Sequence, residues 1–235
     1  MKPNRKPWFN IVKSILRMFI RPTRFVIADG TIQSGSIIVC NHSAASAPLA
    51  WELYSNIQFR FWGTHEMNSG LRSVYHYLVH VYYTQKKHWN ISLARLFCLI
   101  AAPFVNMFYR GMGLISTYRD TRFRKSLSES FATLMHGESL VIFPEDSSDG
   151  YHEELKSFHE GVVLLASLCL KKNIDSHVYV AYYHRKSRTC YISGPRRIHE
   201  LIAAAPSRQE IAQYLCDECN AIGEQMSAAV GVTKA

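Results

Sequence analysis

Short, largely apolar runs separated by helical stretches constrain this chain most. Ser36–Cys40, Phe59–Trp62, Leu140–Phe143 and Val178–Tyr183 are of strand length and rich in β-branched and aromatic residues. Unbroken apolar runs suit strands buried on both faces. Between them lie Pro48–Ile57, Leu93–Phe108, Thr121–His136 and Gly161–Leu170. The third places Phe123, Leu127, Phe131 and Leu134 at helical spacing before Gly137 stops it. Phe25–Ala28, Gly113–Tyr118 and Thr189–Ile192 read as further strands, and Pro206–Val230 as a closing helix. Leu71–Tyr83 is aromatic-rich and fits either type. Strands alternating with helices predict an α/β domain, a mixed or parallel sheet flanked by helices, over 25–235.

Residues 1–24 stand apart. On a helical wheel, Trp8, Phe9, Ile11, Val12, Ile15, Leu16 and Phe19 share a broad face, and Asn10, Lys13, Ser14 and Arg17 lie opposite. Residues 1–28 hold seven cations (Lys2, Arg5, Lys6, Lys13, Arg17, Arg21, Arg24) and no acid. The net charge of +9 is therefore local, since the rest of the chain is near balance. A basic amphipathic helix of this kind is expected to lie on an anionic membrane surface, its cations toward the headgroups. The interleaved apolar face argues against nucleic acid as the partner. Lys13 and Arg17 interrupt any signal-peptide core. Ile91–Phe108 is the most apolar stretch; Arg95, Pro103 and Asn106 argue against a simple span, and a membrane-dipping or acyl-chain-lining role is expected.

With 48% hydrophobic and 19% charged residues in 235, the chain is no disordered segment. Its six cysteines are scattered, several in apolar runs, as reduced core cysteines are. Cys216 and Cys219 form a lone CxxC without a second pair, so no metal site is expected.

Four blocks carry possible chemistry. Asn41-His42 follows an apolar strand, and a histidine there can serve as a general base. Gly113 opens a strand that Arg119 follows, and a guanidinium can fork onto an anion. Phe143-Pro144-Glu145-Asp146-Ser147-Ser148 follows another strand. Ser157-Phe158-His159-Glu160-Gly161 is a polar turn before a helix. No G-x-S-x-G elbow makes Ser147 a nucleophile.

In order and spacing these blocks resemble the PlsC-type glycerolipid, or lysophospholipid, acyltransferases. The resemblance spans Ile37 to Pro195. Asn41-His42 matches the start of the family's N-H-x-x-x-x-D, Gly113 and Arg119 its G-x-x-x-x-x-R, and Phe143-Pro144-Glu145 its F-P-E-G-T-R. Phe158 and Gly161 match the turn downstream. The resemblance implies fatty acyl transfer from acyl-CoA or acyl carrier protein, as co-substrate, to a lyso-glycerolipid hydroxyl, with no cofactor. It implies His42 as base, with Gly113, Arg119, Phe143, Pro144, Glu145 and Ser147 around the acceptor. The implied location is the cytoplasmic face of a membrane, held peripherally or monotopically.

Two departures bear on activity. Ala47 stands where the family has the aspartate that orients its histidine. In a comparable His–Asp pair, amidating the acid costs about 10⁴ in turnover, so a loss of roughly 10²–10⁴ is expected. An impaired natural member, an engineered substitution, or service by another carboxylate, with Asp146 the candidate, all fit. An impaired chain would act as a membrane-associated lipid- or partner-binding protein. The second departure is Asp146-Ser147-Ser148 in place of Gly-Thr-Arg. It trades a cation for an acid, with Lys156 a possible helper, and favours an acceptor with a substituted, neutral or zwitterionic headgroup.

Overall fold

A computed structural model describes residues 5–147 and 150–232. Lys2 and Ser148 lie outside the described residues. The strands are β1 (Arg24–Ile27), β2 (Ile37–Cys40), β3 (Phe59–Thr64), β4 (Ile115–Thr117), β5 (Ser139–Ile142), β6 (His177–His184), β7 (Thr189–Ile192) and β8 (Arg196–Arg197). They form one sheet in the order β1-β7-β6-β2-β5-β3-β4, with β8 pairing β6. Strand β2 lies between β5 and β6, parallel to both; β3 is parallel to β5 and β4. Only β6–β7 and β6–β8 are antiparallel among the described pairs. The expected mixed α/β sheet is present.

Strand side chains split by parity between two cores. Ile37, Val39, Leu140, Ile142, Val178 and Val180 face helices α5 (Phe123–Met135), α6 (Gly161–Lys171), α7 (Ile198–Ala203) and α8 (Arg208–Val232). Ile38, Cys40, Val141, Tyr179 and Ala181 face α1 (Pro7–Phe19), α2 (Ser46–Tyr54), α3 (Leu71–Tyr77) and α4 (Ile91–Met112). Both faces are covered, which is why the central strands read as unbroken apolar runs. The ambiguous aromatic stretch is α3 followed by a π-helix, Leu78–Lys86. The short β8 and α7 gave no sequence signal; two and six residues are too few to establish a period.

The N-terminal helix forms as expected but faces the other way. Lys13 is only 5% exposed, and its ammonium lies 2.7 Å from Glu52 on α2. Arg5 holds the same carboxylate at 2.8 Å, and Arg17 donates to the Leu53 carbonyl near the end of α2. Burial lowers the Lys13 pKa, and Glu52 opposes the shift. Helix α1 and the residue Arg5 before it thus turn three cations toward the protein. Its outer side is apolar, with Ile11, Ile15, Met18 and Phe19 exposed. The expectation that these cations meet headgroups is corrected: a buried glutamate demands partners, and the helix supplies them. Among the described N-terminal cations, Lys6, Arg17, Arg21 and Arg24 are exposed, Arg17 while its guanidinium stays bonded to the Leu53 carbonyl.

Phe9 locks α1 to α4. Its ring meets Phe108 edge-on at 5.2 Å, over Gly111, where an added Cβ would come within 2.1 Å of the ring. Breaking a buried ion pair costs about 3–5 kcal/mol, because the remaining charge is left uncompensated. Glu52→Gln should lower unfolding stability on that scale in chemical denaturation. A change under 1 kcal/mol would show that the triad contributes little to holding the helix.

Candidate active site

The parallel register assembles the site. Strand β2 pairs β5 with Ile37 opposite Leu140 and Val39 opposite Ile142. Extended past the strand ends, this puts His42 level with Glu145. The backbone N–H of His42 donates to the Glu145 carboxylate at 3.0 Å. The β3 pairings carry the register outward, and Arg119, beyond β4, falls level with Asp146. Three sequence blocks thus converge at the carboxyl ends of parallel strands, where open α/β sheets place their ligands.

Asn41 anchors the first block. Its side chain accepts from the Tyr183 N–H at 2.7 Å and donates to the Tyr183 carbonyl at 3.2 Å, mimicking one more rung of the β2–β6 ladder. After His42 the chain turns sharply. Ser43 and Ala44 both have left-handed backbone, φ 43° and 54°, and the Ser46 N–H closes onto the Ser43 carbonyl. Two successive non-glycine residues in this region store strain of order 1–3 kcal/mol each, a feature that clusters at functional sites.

The third and fourth blocks are joined by backbone. The Asp146 N–H donates to the Ser157 carbonyl at 3.2 Å, and the His159 N–H to the Pro144 carbonyl at 2.8 Å. Glu145 and Phe158 form the bridge between them. Gly161 starts α6 beneath Trp62 and Phe123, which an added Cβ would meet at 3.1–3.2 Å. Burial raises the Glu145 pKa, while the N–H groups of His42 and His152 favour its charged form.

The His42 ring lies between Phe143 and Tyr151, with centroids 5.0 and 5.1 Å away. Its Nδ1 is buried without a hydrogen-bond partner. Burial, with a smaller contribution from the Lys86 charge, lowers the His42 pKa to about 4, although the backbone at Ala44 and His42 favours the charged ring. Ala47 lies in the first turn of α2, fully buried in the apolar core. Among the described residues no carboxylate bonds Nδ1, so Asp146 does not take the missing aspartate's place there.

Two expectations shift. Gly113 ends α4 in left-handed conformation, φ 63°, level with Arg60 and Leu140. It caps a helix below the level of Glu145 and does not line the mouth. Lys156 belongs to a separate cavity of about 700 Å³ against α8. In its place the structure brings in Lys86, at the end of the π-helix. Its ammonium bonds the Ser147 hydroxyl at 2.6 Å and sits 5.0 Å from the Tyr151 ring centre. Neither Lys86 nor Tyr151 carries a motif that would have marked it.

This architecture matches a solved structure, the 1-acyl-sn-glycerophosphate (LPA) acyltransferase PlsC from Thermotoga maritima, with a TM-score of 0.53 at 14% identity. The match covers 94% of this chain and 80% of that one. The chain has the PlsC fold. No protein-family model matches it, and no curated protein matches it in sequence. The PlsC likeness thus rests on the path of the backbone. Among the described residues no group of His, Cys, Asp and Glu is placed to hold a metal ion.

His42 links the site to pH. The unfolded imidazole takes a proton near pH 6.5 and the folded one near pH 4, so between these values the unfolded state binds more protons. Acidification from pH 6.5 to 4 should cost stability, and His42→Gln should remove that component. Denaturation at a series of pH values checks this; identical pH profiles would contradict the buried, neutral imidazole.

Proposed function

We propose that the protein transfers a fatty acyl group from acyl-CoA or acyl carrier protein to the hydroxyl of a lyso-glycerolipid at a membrane surface. The observation that carries this reading is the register match of His42 with Glu145, with Arg119 at the same sheet end, in a PlsC-like fold. The acceptor oxygen would attack the thioester carbonyl while His42 takes the hydroxyl proton. The new C–O bond forms, the C–S bond breaks, and the thiolate leaves with that proton. Backbone N–H groups would hold the oxyanion. Arg119 and Glu145 would orient the acceptor's polar head.

The orphaned Nδ1 sets the rate. With Nδ1 buried, Nε2 is the nitrogen left to face the acceptor. To act as base, Nε2 must be bare, which puts the ring proton on Nδ1, where it has no acceptor. The other tautomer avoids that cost and disables the base. The low pKa keeps the imidazole neutral at pH 7 but also makes it a weak base. The same observation favours a second reading: an impaired member that binds lipid or a partner without turnover.

The membrane reading rests on an apolar platform. Helix α4, 22 residues long, is apolar and long enough to cross a bilayer. It buries a stripe of small side chains, Ala94, Cys98 and Ala102, while Leu96, Leu99, Ile100 and Phe104 are each more than 60% exposed. Ile11, Met18 and Phe19 of the attached α1 are likewise more than 60% exposed. Each such side chain gains about 1.5–3 kcal/mol on leaving water. Peripheral or monotopic seating by these two helices, at the cytoplasmic face, is the proposed mode.

Two measurements test these readings. Labelled acyl-CoA offered with a panel of lyso-lipids should give slow transfer that His42→Ala abolishes and Ala47→Asp raises about 10²-fold or more. Transfer that survives His42→Ala would overturn the base assignment; no transfer by any variant would leave the binding-protein reading in the lead. In liposome flotation, Leu96→Asp with Ile100→Asp should release the protein. High salt should release little, because Arg5, Lys13 and Arg17 are engaged internally. Release by salt with the double variant still bound would overturn the platform.

A further inference from the structure

We propose that Lys86 binds the acceptor's phosphate, supplying from the π-helix the positive charge that the Asp146-Ser147-Ser148 segment lacks. This rests on the acyltransferase reading of the site. Lys86 reaches the mouth by its own route: its backbone belongs to the helical layer, and its ammonium bonds Ser147 at 2.6 Å. The same ammonium lies 5.0 Å from the centre of the Tyr151 ring, whose other neighbour is the His42 imidazole at 5.1 Å. A cation, an aromatic ring and the candidate base therefore stand in one row.

The electrostatics of the mouth suit an anion. Lys86 is half-buried, and burial is the main influence lowering its pKa. Glu145 and Asp146 favour its charge and Arg119, level with Asp146 in the register, disfavours it. Holding the Lys86 charge in a half-buried place, with the exposed Arg119 guanidinium disfavouring it, costs free energy that an anionic ligand would offset. Glu145 has its carboxylate turned to the backbone N–H groups of His42 and His152 and is only partly free to serve. A phosphate between Lys86 and Arg119 would satisfy both and bring an attached glycerol hydroxyl toward His42. π-Helical segments are rare and recur at functional sites. Here the nine-residue π-helix ends on Lys86.

The assignment revises the expectation, drawn from Asp146 and Ser148, of an acceptor without a phosphomonoester. Binding tests it independently of turnover. Affinities of 1-oleoyl lysophosphatidic acid, 1-oleoylglycerol and coenzyme A are compared in neutral detergent micelles for the full chain, Lys86→Met and Lys86→Arg. Lys86→Met should weaken lysophosphatidic acid about 10–100-fold, the range for a lost charge-assisted hydrogen bond, and leave oleoylglycerol within about 3-fold. Lys86→Arg should restore most of the affinity. Equal losses for both lipids would overturn the proposal in favour of a packing role. A loss confined to coenzyme A would assign Lys86 to the donor's phosphates and overturn it too, as would unchanged affinities. Selective loss of lysophosphatidic acid without acyl transfer by any variant would sustain the phosphate site while the catalytic reading fails.

Discussion

The parallel pairing of β2 with β5, continued by the bond from the His42 N–H to Glu145, is the contact on which the rest of the site depends. It aligns two sequence blocks a hundred residues apart at one level. Asn41 fastens the other flank to β6, so His42 leaves the sheet from a segment held on both sides. The strained turn at Ser43–Ala44 then redirects the chain into α2. A carboxylate bonded to backbone does here what a longer strand would do, while leaving the imidazole outside the ladder.

A second constraint is the charge on Glu52. Completely buried, it draws Arg5 and Lys13 inward and fixes which side of α1 faces out. The apolar platform follows from that choice. A basic face and an apolar face look alike on a helical wheel whichever way the helix docks, and one buried acid on a neighbouring helix decides the matter.

The histidine environment joins the structural and chemical arguments. Phe143, Tyr151 and a buried Nδ1 desolvate the ring and lower its pKa. Ala47, buried on α2, carries no charge to oppose that shift. On the proposed reading, the site keeps the placement of a base while lacking what would tune it. Lys86 adds to this, since its charge disfavours imidazolium and suits an anionic ligand.

Much of this was legible in the sequence because periodicity and strand-end motifs are local. The alternating strands, the amphipathic first helix and the residues His42, Arg119 and Glu145 could be read directly, since runs and spacings report burial on both faces of a sheet. The capping role of Gly113, the orphaned Nδ1 and the arrival of Lys86 and Tyr151 beside His42 could not. They depend on the docking of distant elements, and a lysine in a polar stretch has no local signature. The sequence by itself determined the α/β architecture and the order of the blocks, because hydrophobic period acts over a few residues. Only the tertiary structure decided which face of α1 meets solvent and which cations surround the histidine, because buried charges pair across space.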